Sequence, residues 1–149
     1  MKNISIRKAT EKDIDELVEI WYKSSVIAHD FIPEDYWQKN KEEMKTKYLP
    51  DSEIYLSSVK NMLIGFIALV DDYLAAIFVL PELQGKGIGS LLLEQAKNHR
   101  NKLCLNVYKR NINSVEFYKS KGFSIVSESI DEATGEDEFL MEWNTCNEN

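Results

Sequence analysis

Long apolar runs are missing from this 149-residue chain. Nothing approaches the roughly 18 residues that a membrane helix requires, since Met62 to Val70 stops at Asp71-Asp72, and no membrane partner is expected. The start, Met1-Lys2-Asn3-Ile4-Ser5, has no apolar signal core, which points to a cytoplasmic protein. Cysteine and histidine are scarce, with two of each. Cys104 falls in an apolar segment expected to be a core strand, facing the sheet interior, and Cys146 in a polar tail, so no disulfide framework is expected. The wide spacing of these four side chains offers no metal site. Positive charge is also short: 18 Lys plus Arg against 25 Asp plus Glu give a formal charge of −7. That balance disfavours nucleic acid and serves solubility before any steering of partners. Repeats, low-complexity blocks and linkers are absent, so the expectation is one domain over residues 1–143 and a polar tail at 144–149. Monomer and homodimer both stay open.

What is present suits a folded core, with 44% hydrophobic and 29% charged residues, both near globular averages. Ile4 and Ile6 alternate with polar residues as in a half-buried strand. Thr10 can cap a helix whose Ile14, Leu17, Val18 and Trp21 follow helical spacing. Ser24 to Pro33 has no period and reads as a loop, Glu34 to Tyr48 as a second helix ending before Pro50. Ile54 to Val59 and Met62 to Asp71 read as strands around a turn at Lys60-Asn61. Tyr73 to Leu80 reads as a buried strand stopped by Pro81, Ile88 to Asn101 as an amphipathic helix, and Leu103 to Val107 as a strand. A helix follows from Asn113 or Ser114 to Lys121, closed by Gly122. Strands near Phe123 to Ile130 and Glu138 to Trp143 finish the chain, separated by the acidic Asp131 to Asp137 connection. This order is mixed α/β in one sheet.

Between the Tyr73 strand and the Ile88 helix lies Gln84-Gly85-Lys86-Gly87-Ile88-Gly89-Ser90. A glycine-rich turn opening a helix leaves several backbone N–H groups unpaired, with the positive end of the helix dipole behind them, and anions bind there. The spacing fails the dinucleotide fingerprint, because Ser90 or Leu92 stands where its third glycine must be. It fails the Walker loop too, because Gly89 is followed by Ser90-Leu91. What fits is Gln/Arg-X-X-Gly-X-Gly/Ala, at Gln84, Gly87 and Gly89. Downstream runs Asn111-X-X-Ser114-Val115-X-Phe117-Tyr118-X-X-X-Gly122-Phe123.

These two stretches resemble the two signatures of the GCN5-related N-acetyltransferase (GNAT) family, with Ser114 in place of the usual alanine. The resemblance implies a single-domain acyl-CoA N-acyltransferase fold, with a mixed, mostly antiparallel sheet flanked by helices and split between its two central strands. It implies acetyl-CoA as cosubstrate, no metal, and transfer of acetyl to a primary amine on a small molecule or a protein by direct attack in a ternary complex. A non-catalytic acyl-CoA-binding sensor or scaffold is the alternative.

The resemblance also places the site. Amides from Gly85 through Lys86, Gly87, Ile88 and Gly89 to Ser90, with Gln84, would hold the pyrophosphate. Backbone groups of Ile77, Phe78 and Val79 would pair with the pantetheine arm and polarise the acetyl carbonyl. Tyr118 is the candidate proton donor to the CoA thiolate, against a core-packing role beside Phe117. Asn111 and Ser114 are candidate cofactor contacts, with helix capping as the other role for Asn111. Asn106, polar inside an apolar strand, either bonds pantetheine or acceptor or satisfies the sheet split. For the base that must free the amine, His29, titrating near pH 6.5, Asp71 and Asp72 are candidates, and a packing role for His29 stays open. Trp21 reads as core; Tyr22, Phe31, Tyr36 and Trp37 either line the acceptor pocket or join that core. The acidic Asp71, Asp72 and Asp131 to Glu138 hint at a cationic acceptor. Nothing in the sequence chooses which amine.

Overall fold

The computed structural model describes residues 3–145. Seven strands, Ile4–Lys8 (β1), Glu53–Val59 (β2), Met62–Val70 (β3), Tyr73–Val79 (β4), Lys102–Tyr108 (β5), Ser124–Ile130 (β6) and Asp137–Asn144 (β7), form one sheet in the order β1-β2-β3-β4-β5-β7-β6. The helices are Ile14–Ala28 (α1), Glu34–Glu43 (α2), Ile88–Asn98 (α3) and Ile112–Ser120 (α4). All neighbouring strands are antiparallel except β4 and β5, which are parallel. A parallel pair needs a crossover, and α3 supplies it.

The β4–β5 contact explains where a ligand can enter. One residue pair, Tyr73 with Cys104, is in register, and the Cys104 N–H donates to Asp72 O at 2.9 Å. Beyond it the strands diverge. Arg100 clamps this closed end: its Nε donates to Asp71 O at 2.9 Å and its Nη2 to Glu53 at 3.1 Å, with Asp72 3.8 Å from Nε.

Two apolar layers sandwich the sheet. On one face Leu17, Val18, Ile20 and Trp21 of α1 and Trp37 of α2 pack with Leu56, Phe66 and Ala76. On the other, Ile88, Leu92, Leu93 and Ala96 of α3 and Val115 and Tyr118 of α4 pack with Ile64, Leu103, Leu105, Met141 and Trp143. Each large side chain so buried contributes about 1.5–3 kcal/mol. Buried on both faces, β3 carries a near-continuous apolar run. In β5 and β7 the alternation of side chains sends Leu103, Leu105, Val107, Met141 and Trp143 into the α3–α4 layer. The residues between them, Cys104, Asn106, Tyr108 and, in register with Tyr108, Glu138, share the opposite face.

Most expected elements form within a residue or two. The Lys60-Asn61 turn has both residues at positive φ, 51° and 66°, as a tight hairpin requires. Four expectations need correction. Ser24 to Ala28 are the last turn of α1 and not a loop; Ser24 and Ser25 are buried, polar residues on the inward face that hid the helical period. The Tyr73 strand is not buried throughout: Ala75 is exposed and Ile77 and Phe78 are half-buried, because β5 leaves them. Cys104 does not face the closed interior but lies half-buried on the face of Asn106. Asn144, expected to begin the tail, ends β7, and Thr145 N–H bonds Asn101 O at 3.0 Å. Cys146 and the rest of the expected tail lie outside the described residues.

Candidate active site

Where β4 and β5 part, a cavity of about 1330 Å3 opens, larger than the roughly 300–1000 Å3 of common small-molecule sites. It runs from the turn before α3 to an aromatic cluster around His29.

The turn end is built from backbone. After the short Pro81–Leu83 helical turn, Gly85 and Gly87 take φ of 79° and 84°, and a Cβ on either would meet nothing within 4 Å. These glycines are needed for their left-handed backbone and not for space. Gly87 caps α3, and Leu91 N–H bonds its carbonyl at 3.1 Å, so the amides of Ile88, Gly89 and Ser90 have no intrahelical acceptor. Gln84, Gly85, Gly87, Ile88, Gly89 and Ser90 line the cavity; Lys86 is exposed and does not. Gln84 Nε2 donates to Val79 O at 3.2 Å, which anchors the turn to β4.

In the middle, the edge of β4 lies open. N–H and C=O of one residue point to the same edge and alternate along a strand. Leu80 N–H bonds Ile64 O on the β3 side, so Phe78 also faces β3, and Ile77 and Val79 turn theirs toward the gap. Val79 O there accepts from Ser24 Oγ at 3.3 Å. The Phe78 side chain lines the cavity while its backbone edge belongs to the β3 ladder. Tyr118 of α4, buried in the same apolar cluster as Val79, also lines the cavity. Burial, with Tyr73 nearby, holds its phenol above the ordinary tyrosine range. Asn111 caps α4, its Oδ1 accepting from Ser114 N–H at 3.3 Å, and its Nδ2 lies 3.2 Å from His29 Nε2. Ser114 lines the cavity beside it.

The far end is built from side chains of several elements. Tyr73 donates to Asn106 Oδ1 at 2.7 Å, and Tyr108 to Asp131 at 2.7 Å. His29 stacks on Trp37 with centroids 5.2 Å apart and meets Tyr108 edge-on at 5.2 Å; Phe31 meets Tyr108 at 5.7 Å. Thus Phe31, Trp37 and Trp21 all line the cavity, and Trp21 and Trp37 belong to the buried core as well. Burial pushes the His29 imidazole down to about 4, which corrects the expected titration near 6.5: the ring is neutral at neutral pH and a weak base. With Asn111 donating to Nε2, the proton belongs on Nδ1. His29 Nδ1, Ser25 Oγ and Trp37 Nε1 are buried without a hydrogen-bond partner.

Asp71 and Asp72 do not line the cavity; they serve the Arg100 clamp at the closed end. Cys104 is also outside it, and burial, aided by Glu142, raises its thiol. Among the described residues no cluster of ligating side chains holds a metal, and no helix is long and apolar enough to cross a membrane. The sequence does not single out Tyr73 or Tyr108, and offers Glu138 only as the end of the acidic Asp131 to Glu138 segment, although each lines the cavity. Their signal was strand alternation, which shows that Tyr108 and Asn106 share a face but not which helix leaves it open.

The comparisons agree with this architecture. The model of the acetyltransferase (GNAT) domain matches residues 16–144. The peptidyl-lysine N-acetyltransferase YiaC of Escherichia coli K12 is 29% identical over 93% of this chain and 95% of its own length. YjaB of the same bacterium, another peptidyl-lysine N-acetyltransferase, is 32% identical over 85% of this chain and 86% of its own. The solution structure of apo YjaB superposes with a TM-score of 0.83 at 28% identity, covering 94% of this chain and 97% of that one. The PaiA N-acetyltransferase of Thermoplasma acidophilum, solved with coenzyme A, gives 0.80 at 26%, covering 95% and 99%. With the family model spanning both signatures and the split sheet on which they sit, the chain belongs to the GNAT family and is an acyltransferase.

Proposed function

We propose that this protein transfers acetyl from acetyl-CoA to a primary amine by direct attack in a ternary complex, with Tyr118 protonating the leaving thiolate. The observation that carries it is the β4 edge that β5 leaves at Ile77 and Val79, in one cavity with an anion-binding turn and Tyr118. Amides of Ile88, Gly89 and Ser90 suit the pyrophosphate. The Val79 and Ile77 edge suits the pantetheine amides and the oxyanion that forms when nitrogen adds to the thioester carbon. As the C–S bond breaks, the electron pair stays on sulfur and Tyr118 supplies its proton. An unperturbed phenol near 10 facing a thiolate near 8.5 would make this transfer uphill by about 2 kcal/mol, and burial of Tyr118 adds to that; it proceeds as sulfur charge develops, while the attacking nitrogen gives its own proton to water in the open cavity and water restores the phenol.

Asn106 and Tyr73 flank the acceptor's approach, and neutral His29 orients Asn111 and the cavity wall instead of acting as the principal base. Cys104 lies outside the cavity with a raised thiol pKa, which favours direct attack over a covalent intermediate. Because YiaC and YjaB are named for peptidyl-lysine, a lysine side chain is the acceptor to test first. A cytoplasmic setting suits a chain with a free, half-buried thiol at Cys104.

Calorimetric titration with acetyl-CoA, with NAD and ATP as controls, tests the cofactor; thiol release with lysine peptides tests the transfer. Selective micromolar binding is expected. Failure to bind acetyl-CoA would overturn the reading.

A further inference from the structure

We propose that Glu138 receives a second positive charge on the acceptor, so that the enzyme selects primary amines carrying a cation besides the nitrogen that reacts. The inference rests on the acetyltransferase reading above and concerns the far end of the same cavity.

Glu138 stands on β7 opposite Tyr108, half-buried, and lines the cavity. Among the described residues it forms no ion pair. The cations that follow Tyr108 in the chain are engaged elsewhere, Lys109 with Glu128 at 2.8 Å and Arg110 with Glu136 at 3.2 Å. Asp131 is occupied by the Tyr108 hydroxyl. A carboxylate drawn from water with no cation beside it is costly, and burial together with Asp131 pushes its pKa up. A cationic ligand group would relieve that cost. Tyr73 and Tyr108 share its face of the sheet and offer π surfaces that favour cations.

Position decides which charge it holds. Tyr118 belongs to the α3–α4 layer, whereas Glu138 stands on the opposite face of the sheet, on β7 and so one strand beyond β5, whose Asn106 accepts from Tyr73. The reacting nitrogen must lie near Tyr118 and the thioester. A carboxylate beside that nitrogen would stabilise its ammonium form and suppress attack. Glu138, on the opposite face and one strand beyond β5, can instead anchor a separate cation and leave the reacting amine free to lose its proton. A diamine and a lysine next to a basic residue present the same pair of charges.

The test compares matched acceptors: 1,5-diaminopentane against pentylamine, and a lysine peptide with arginine beside the target against the same peptide with glutamine there. Each is assayed with the wild type, Glu138→Gln and, as a charge-matched control, Glu142→Gln, whose carboxylate pairs with Lys102 at 3.4 Å outside the cavity. The wild type is expected to favour the dication by about tenfold in kcat/KM, expressed in KM. E138Q should lose that preference with acetyl-CoA affinity intact, and E142Q should keep it. A preference in one arm alone supports the proposal and identifies that arm as the source. Turnover of pentylamine with no discrimination by the wild type, or discrimination retained by E138Q, overturns the proposal and leaves the acetyltransferase reading standing. So does an equal loss of kcat in E138Q for mono- and dications, which would place Glu138 on the reacting nitrogen. No thiol release with any amine would bring down both.

Discussion

The two ends of the cavity are made of different material. At the turn before α3 the groups offered to a ligand are backbone amides held by Gly85 and Gly87, a few consecutive residues whose geometry is local. At the other end His29 from the end of α1, Trp37 from α2, Tyr73 from β4, Asn106 and Tyr108 from β5 and Glu138 from β7 meet through the fold. A backbone site is written in one stretch of sequence and tolerates any side chain that permits its φ values. A side-chain site is written in distant positions and changes with any one of them, so in the function proposed above the cofactor end can stay constant while acceptors vary.

That contrast can be broken at four places. Tyr118→Phe, between the two ends, should leave acetyl-CoA affinity unchanged and lower kcat/KM by about 10²–10⁴-fold, measured by thiol release; retained turnover would remove Tyr118 from the chemistry. Gly87→Ala forces a side chain into the left-handed region at about 1–2 kcal/mol. Calorimetry should show acetyl-CoA binding weakened by about tenfold, with acceptor KM little altered. An equal change in both parameters would mean that the ends are not independent.

His29 gives a pH signature. Its folded pKa, about 4, lies below the unfolded 6.5, so the unfolded chain binds the proton first as pH falls. The stability contributed is full above pH 6.5 and is lost progressively toward pH 4. Thermal unfolding across that window should show the slope, and His29→Asn should flatten it. Activity should show no limb at 6.5 from this residue. The smallest effect is expected far from the cavity, where Arg7 grips Asp13 through two bonds of 2.9 Å and Asp13 accepts from Thr10 N–H at 2.8 Å. The Arg7 bond holds the Asp13 carboxyl at about 2, so its stabilisation is lost as pH falls from about 4 to 2. Asp13→Asn should lower stability by about 1 kcal/mol or less and leave kinetics unchanged.

Legibility in the sequence followed the same division. The element order and the glycine turn could be read because hydrophobic period and glycine spacing are local signals. The last turn of α1 could not, since Ser24 and Ser25 look like loop residues until the Val79 carbonyl that receives Ser24 is known. His29 was visible as a residue, but its neutrality depends on burial beside Trp37 and Tyr108, which no neighbour in sequence reveals. Asp71 and Asp72 looked like bases because they are acidic and adjacent to β4; only the fold gives them to Arg100. The split itself showed in the sequence through the resemblance alone.

The Val79 carbonyl accepts from Ser24 Oγ of α1 and from Gln84 Nε2 of the glycine turn. One oxygen therefore serves as a common pin for α1, which walls one end of the cavity, and for the glycine turn at the other. If acetyl-CoA pulls the turn inward and Gln84 lets go, Ser24 becomes that oxygen's remaining protein donor, and α1 is held more firmly for it. Occupancy at one end would then alter the stiffness of the other, and by reciprocity a bound acceptor would alter how tightly the cofactor is retained.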